Sequence, residues 1–223
     1  MSDSGHSRVS QDLTGQSLGN TGAVVLADAL RGNSSLRSLC LRWNSIQESG
    51  ASALALALKD SQLRSLDAFC NSFGNSGVLH LARALEGHPY LTDLDLGWNS
   101  VGDEGAAALA DFLTKNVTLC DLGLEQNLIK EKGAKMLAEA LQQSNLLKLR
   151  LNGNPLGEAG VQAFEMVRPD VDMFNSARSH GKEIPKTDES ERAFRLSLGF
   201  NAFGAGKAGC EERAGSNDDP ADL

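Results

Sequence analysis

The sequence predicts an α/β solenoid built from one strand–turn–helix unit that repeats along the chain. An asparagine recurs at spacings of 27 or 28 residues, at Asn44, Asn71, Asn99, Asn127 and Asn154, and a fixed period of this length is typical of solenoids. Apolar residues at LxxLxL spacing precede each asparagine and predict a short strand with one apolar face. Apolar residues at i, i+3, i+4 and i+7 follow it and predict an amphipathic helix.

Residues 91–118 show one unit most clearly. The strand leucines share one face, so Asp93 and Asp95 point to the other face. Asp103 is expected to cap the helix that follows. The apolar stripe of that helix consists of Ala106, Leu109, Ala110 and Leu113. A single unit cannot cover its own apolar edges or pair its strand, so neighbouring units must stack on both sides.

The repeating asparagine is polar, yet it stands in an apolar run. Such a side chain can be buried only if its amide bonds to backbone groups of adjacent turns. We therefore interpret these residues as a structural ladder that ties one unit to the next, formed by Asn44, Asn71, Asn99, Asn127 and Asn154.

Five consecutive units carry the pattern LxxLxLxxNxΦxxxG followed by an Ala/Leu helix, and they begin at Leu36, Leu63, Leu91, Leu119 and Leu146. This pattern resembles the leucine-rich repeat, specifically the 27–28-residue ribonuclease-inhibitor-like subtype, and is similar to the repeat regions of NOD-like receptors. The resemblance implies a horseshoe, with a parallel β-sheet on the concave face and α-helices on the convex face. It also implies a protein-binding function, with a regulatory or innate-immunity-like role.

The repeat domain is predicted to span residues 9–174, after a flexible N-terminus at 1–8. Residues 9–35 form a degenerate first unit in which Gln16 replaces the ladder asparagine. This unit is either a worn N-terminal cap or the result of truncation of a longer array.

The last part of the chain departs from the pattern. Val171 and Met173 are expected to supply a short final strand. Residues 175–223 are rich in Ser, Gly, Ala and charge, which predicts a low-complexity, flexible tail. Within this tail, residues 193–206 repeat the LxLxxNxΦ spacing, either as a decayed repeat or by chance.

Composition excludes several classes of function. The net charge of −8 argues against a nucleic-acid partner, which would require a basic face. The N-terminus has no apolar signal sequence, and no stretch approaches 18 apolar residues, so we expect no membrane association. The four cysteines have no paired or metal-like spacing, which fits a reducing compartment. These features predict a cytoplasmic protein.

No motif predicts a cofactor, a metal site or catalysis. The GxGxxG run at Gly204 to Gly209 lacks the following strand and acidic residue of a dinucleotide site. His80 and His88 share no ligand spacing with other residues and are expected to be solvated. No nucleophile motif such as GxSxG is present. We therefore predict that the protein is not an enzyme.

The strand positions that alternate with the leucines predict the binding surface. Its candidate residues are Arg42, Trp43, Asp67, Phe69, Asp93, Asp95, Trp98, Asp121, Glu125, Lys148 and Arg150. The centre of this set is acidic, and the two tryptophans lie beside it, a composition found at binding hot spots. The alternative is that these residues only solvate the sheet.

The leading hypothesis is a non-catalytic interaction module that binds a protein with a basic patch on this concave surface. The sequence indicates no oligomeric state. One alternative is a regulator similar to the Ran GTPase-activating proteins, whose repeats belong to the same long subtype, with Arg42 contacting the GTPase. A further alternative is a fragment of a NOD-like receptor.

Overall fold

The computed structural model describes residues 9–167, in which strands and helices alternate. The strands are β1 (Ser10–Asp12), β2 (Ser38–Cys40), β3 (Ser65–Asp67), β4 (Asp93–Asp95), β5 (Asp121–Gly123) and β6 (Lys148–Arg150). The helices are α1 (Gly19–Leu30), α2 (Glu48–Leu58), α3 (Gly74–Ala84), α4 (Asp103–Lys115), α5 (Glu131–Leu141) and α6 (Gly157–Val167). Neighbouring strands pair in parallel, in the order of the sequence. This arrangement confirms the predicted solenoid.

Several predicted segments lie outside the described residues. They are the N-terminus at 1–8, the final strand at Val171 and Met173, the tail at 175–223 with its 193–206 repeat, and the GxGxxG run.

One continuous core lies between the sheet and the helices. The central residue of each strand from β2 to β6 is a buried leucine, at Leu39, Leu66, Leu94, Leu122 and Leu149. From the other side, the predicted stripe of α4 is buried against it, at Ala106, Leu109, Ala110 and Leu113. A buried leucine contributes about 1.5–3 kcal/mol as an upper estimate. Because neighbouring units complete this burial, each unit depends on those beside it.

The repeating asparagines are buried and bond across the unit boundaries. Asn99 Nδ2 donates to the Ala68 carbonyl of the preceding unit at 2.9 Å and to the Gly97 carbonyl at 3.0 Å. Its Oδ1 accepts from the Phe73 N–H at 3.2 Å. The other four also donate to a carbonyl of the preceding unit, at Asn44, Asn71, Asn127 and Asn154. Each amide therefore joins two units where water is excluded.

Three helices are capped by a side chain of the preceding helix. One oxygen accepts two backbone N–H bonds from the start of the next helix: Asn20 for α2, Asn75 for α4 and Asp103 for α5. For Asp103 the donors are Lys130 and Gly133, at 2.8 and 3.0 Å. The prediction that Asp103 caps its own helix is therefore wrong. The acceptor stabilises the exposed N–H groups of the next helix instead.

A glycine in the first turn of each helix from α2 to α6 lets the helix approach its predecessor closely. A methyl group at Gly133 would lie 2.7 Å from Asp103 Oδ1 and 2.9 Å from Ala106 Cβ. At Gly50 it would lie 2.9 Å from Ala23 Cβ. Packing between the helices therefore requires glycine at these positions. Its presence there is otherwise unexpected, because glycine destabilises the interior of a helix.

A second column of polar residues closes the loop before each strand from β2 to β6. Asn33, His88 and Asn116 each accept hydrogen bonds from the backbone N–H groups two and three residues later in the chain. Ser61 and Ser144 each accept one, from the N–H group two residues later. His88 Nδ1 accepts from Leu91 N–H at 3.1 Å, and its side chain is buried. The expectation of a solvated His88 is therefore wrong, whereas His80 is exposed as expected. Burial lowers the pKa of His88, against smaller opposing effects of Ser61 and Asp60.

We predict that Gly133→Ala lowers the free energy of unfolding by about 1–2 kcal/mol, because overpacking outweighs the gain in helix propensity. Denaturant unfolding of the two proteins measures the difference. The control is Lys132→Ala, at the exposed neighbouring position, which should change stability little. A Gly133→Ala variant as stable as the parent would contradict the close approach of α4 and α5.

We predict that the free energy of unfolding falls less between neutral and acid pH in the His88→Asn variant than in the parent. The asparagine supplies the same acceptor as in the turns at Asn33 and Asn116 but does not titrate. Because the pKa of His88 is depressed in the folded state, its contribution to stability is present above about pH 6.5 and is lost as the pH falls through the folded-state pKa. Unfolding curves at several pH values test this, and parallel pH profiles for parent and variant would refute it.

Candidate functional site

The sheet face is the surface formed by the strand residues that point away from the helices. The strand register aligns one column at Ser10, Ser38, Ser65, Asp93, Asp121 and Lys148, and a second at Asp12, Cys40, Asp67, Asp95, Gly123 and Arg150. Residues just after the strands extend it at Arg42, Phe69, Gly97, Glu125 and Asn152. Ser10 and Asp12 are not among the residues predicted from the sequence, although they lie 28 residues before Ser38 and Cys40, and the period could have located them.

Arg150 is the centre of an ion-pair network at the C-terminal half of the sheet face. Its Nη2 lies 3.2 Å from Asp95 Oδ2, its Nε lies 2.7 Å from Glu125 Oε1, and its Nη1 bonds to Asp121. The Lys148 Nζ also lies 3.0 Å from Asp121. Only 14% of the Arg150 side chain is exposed. Burial alone would lower its pKa, but the three carboxylates outweigh burial and raise it.

A second cluster, the Arg42 cluster (Arg42, Trp43, Asp67 and Phe69), lies at the other side of the same acidic centre. The Arg42 guanidinium bonds to Asp67 and lies 5.0 Å from the centroid of the Phe69 ring. Its Nη2 also lies 3.7 Å from Asp95 Oδ2. The rings of Trp43 and Phe69 are 6.2 Å apart. Asp95 therefore joins this cluster to Arg150, although the two arginines belong to units four apart.

These contacts change the interpretation of the acidic centre. Within residues 9–167, three cations contact four carboxylates of this surface, those of Asp67, Asp95, Asp121 and Glu125. In the described part of the chain, Asp93 is exposed and makes no ion pair, and its carboxylate accepts from Thr92 Oγ1 at 2.6 Å. Cations of the chain thus partly neutralise the acidic centre, and the carboxylate of Asp93 beside it is more exposed than the four paired ones.

Two carboxylates on the sheet face have opposite shifts in pKa. Hydrogen bonds from the side chain and backbone of Thr14 lower the pKa of the exposed Asp12. Burial raises the pKa of Glu125, and the charge of Arg150 opposes this effect. Glu125 Oε2 and Asn152 Oδ1 are buried with no hydrogen-bond partner among the described residues. Arg150 is therefore the cation that opposes the effect of burial on Glu125.

The residues before the ladder asparagines form a lip at one end of the sheet face, and all adopt a left-handed backbone. The φ angles are between 54° and 58° at Trp43, Cys70, Trp98 and Gln126, and are 76° at Gly153 and 67° at Gly15. Glycine accepts this conformation readily, whereas a bulky side chain is uncommon there. The structure therefore holds both tryptophans in a backbone geometry that their side chains disfavour. Trp43 is 39% exposed.

Residues 9–167 contain neither a cluster suited to a metal ion nor a membrane-spanning helix. No group of three His, Cys, Asp or Glu side chains there is placed to hold a metal ion. None of the helices in the same range is long and apolar enough to cross a bilayer.

The comparisons with known proteins agree with the geometry. The family model for the leucine-rich repeat matches residues 32–55, 87–110 and 142–164. The chain carries leucine-rich repeats. Its 27–28-residue spacing continues between the matched segments, and the strand–helix alternation there is the same.

The chain is also similar to part of one curated protein and to one solved structure. Leucine-rich repeat-containing protein 45 of Gallus gallus is 41% identical over 80 residues, which are 34% of this chain and 12% of that protein. This chain therefore matches only a small part of that relative. Among solved structures, Leiomodin-1 Actin-Binding Site 2 (ABS2) has 22% identity and a TM-score of 0.49, covering 60% of this chain and 79% of that chain.

We predict that Arg150→Met lowers the free energy of unfolding at neutral pH by about 2–3 kcal/mol, because it removes the one cation that Asp95, Asp121 and Glu125 share within residues 9–167. The loss should shrink as the pH falls, since the pKa of Glu125 is raised already and rises further without Arg150. Denaturant unfolding between pH 7 and pH 5 measures both effects. Arg83→Met, at an exposed helix position, is the control. A deficit that is independent of pH would contradict the network.

Proposed function

We propose that the protein is a non-catalytic interaction module that binds a protein partner on the sheet face. Proteins with leucine-rich repeats are typically interaction modules rather than enzymes. The observation that carries the proposal is the Arg42 cluster. In it the Phe69 ring lies next to both the exposed ring of Trp43 and the guanidinium of Arg42. Trp, Arg and other aromatic residues dominate the binding energy of protein interfaces.

The backbone of the lip supports this assignment. A left-handed conformation is disfavoured by about 1–2 kcal/mol for a residue with a side chain. Gly15 and Gly153 show that glycine fits the same column. Bulky residues held in disfavoured conformations cluster at functional sites. Trp43 and Trp98 are therefore best explained by what their side chains contact on a partner.

The charges of the sheet face suggest the chemistry of that partner. Asp93 is exposed and has no cation beside it among the described residues, so a lysine or arginine of the partner can pair with it. Asp95 and Arg150 already form ion pairs within the chain. Their network therefore holds the side chains at the centre of the sheet face in place and does not bind the partner's charge. We propose a partner that places a basic group at Asp93 and an apolar group on Trp43 and Phe69.

The remaining parts of the proposal follow from the sequence. We propose that residues 9–174 form the repeat domain, that its units belong to the ribonuclease-inhibitor-like subtype similar to NOD-like receptor repeats, and that the protein is a cytoplasmic regulator. We propose no nucleic-acid or membrane partner and no cofactor. A GTPase-activating role is not favoured, because Arg42 is tied to Asp67 and stacked on Phe69 and so is not free to reach a partner's active site.

We predict that Trp43→Asn and Asp93→Lys each reduce capture of the partner from a cell lysate at least about tenfold, which corresponds to about 1.4 kcal/mol. Asparagine tolerates the left-handed backbone, so the first change removes the aromatic surface without adding strain. Both variants should unfold like the parent. The bound proteins are quantified by mass spectrometry.

Matched controls separate the sheet face from general surface effects. Val117→Asn removes an exposed apolar side chain from a loop, and Glu139→Lys reverses an exposed charge on α5. Both should leave capture unchanged. If they weaken capture as much as the sheet-face variants, or if Trp43→Asn and Asp93→Lys retain the partner, the binding surface lies elsewhere.

A further inference from the structure

Gly97 stands at a position of the sheet face where other units carry a side chain. The equivalent residues in the repeat are Arg42, Phe69, Glu125 and Asn152. The fold itself therefore accepts a side chain at this position. Glycine loses more conformational freedom on folding than any other residue, so its presence here needs a physical explanation.

The backbone at Gly97 does not require glycine. Its φ angle lies outside the left-handed region, unlike the angles of the lip residues. The Gly97 N–H donates to Asp95 Oδ1 at 3.0 Å, and the Phe69 N–H makes the same bond to Asp67 Oδ1 at 3.1 Å in the preceding unit. Because the two turns match, the backbone that holds glycine in one unit holds phenylalanine in the other.

The core does not require glycine at this position either. The three atoms nearest to a methyl group built at Gly97 belong to sheet-face side chains: Phe69 Cδ2 at 2.7 Å, Phe69 Cε2 at 2.8 Å and Asp95 Oδ1 at 3.3 Å. At Gly133, by contrast, the nearest atoms belong to the preceding helix. The Phe69 ring therefore lies across Gly97 and fills the space that a side chain there would take.

The position of the Phe69 ring determines the geometry of the Arg42 cluster. The ring centroid lies 6.2 Å from that of Trp43 and 5.0 Å from Arg42 Cζ. Trp43 belongs to the preceding unit and Gly97 to the following one, so the ring contacts both neighbours of its own unit. A methyl group at Gly97 would displace the ring, because the two cannot share the space. The contacts of the ring with Trp43 and Arg42 would then change.

We propose that Gly97 is a positioning residue of the partner-binding surface, because its missing side chain lets Phe69 lie across the sheet and orient Trp43 for the partner. This inference rests on the proposed function of the sheet face. Gly97 acts through Phe69 and does not itself contact the partner, since the ring covers it. The sequence did not indicate this role, because the period places Gly97 in its column but not the ring above it.

The test is capture from a cell lysate by the full chain, limited to those proteins whose binding is lost in Trp43→Asn. Gly97→Ala should reduce their capture at least about fivefold, because the displaced ring no longer supports Trp43. The matched control is Gly102→Ala. A methyl group there would lie 3.5 Å from the nearest atom, and the φ angle of −102° suits alanine, so capture should not change.

A double variant tests whether Gly97 acts through the ring. Phe69→Ala should reduce capture by itself, and Gly97→Ala should add no further loss in that background, because the methyl group then meets no ring. Effects at independent sites would instead multiply. A check that needs no partner is NMR of the parent, in which the Phe69 ring protons should show NOEs to the α protons of Gly97.

The outcomes separate this inference from the proposed function. Capture lost in Trp43→Asn but kept in Gly97→Ala would overturn the inference alone, whereas capture kept in both would overturn the proposed function with it. Losses that multiply in the double variant, or missing NOEs, would show that Gly97 does not act through Phe69. A Gly97→Ala variant that does not fold, as judged by circular dichroism, would show that the fold and not the binding surface requires glycine.

Discussion

The buried asparagine amide is the constraint on which the rest of the structure depends. Its two N–H groups and its oxygen must find partners where water is absent, and at Asn99 they find them on both sides of a unit boundary. This requirement fixes the length of a unit, because the next asparagine must arrive beside the right carbonyl. The strand register, the alternation of strand and helix and the glycine in each first turn all follow from this spacing.

The same register makes the sheet face more than a row of independent side chains. Because equivalent positions stack in columns, Asp95 can contact Arg42 on one side and Arg150 on the other. Pairs of this kind remove charge from the surface while they hold side chains in place. A face that is already ordered loses less side-chain entropy on binding. Its accessible features are then the few groups left out of the network, Asp93 and Trp43 among them.

The period in the sequence was sufficient to predict the units, their order, the buried stripes and the columns of the sheet face from β2 to β6. The period could not predict which neighbour each side chain contacts, and so the ion pairs of Asp95 with Arg42 and Arg150 did not follow from the sequence. Asp103 was assigned to its own helix because a capping rule considers one helix at a time, whereas here the next helix supplies the donors. His88 was expected to be solvated, although Asn33 and Asn116 already marked its position as an acceptor in a turn.

A solenoid has two surfaces with different origins, and they can change separately. The residues of the sheet face alternate with the leucines, so they can vary without disturbing the core. Only substitutions in the left-handed lip or in the ion-pair network of Arg150 are expected to change the stability of the fold. The outer face of helix α1 is different, because its residues occupy positions that are buried in the later units. Gly22 and Leu26 have the same character as Gly50 and Leu54, whose neighbours are in place. Apolar character on that face therefore reflects the rule that builds every unit.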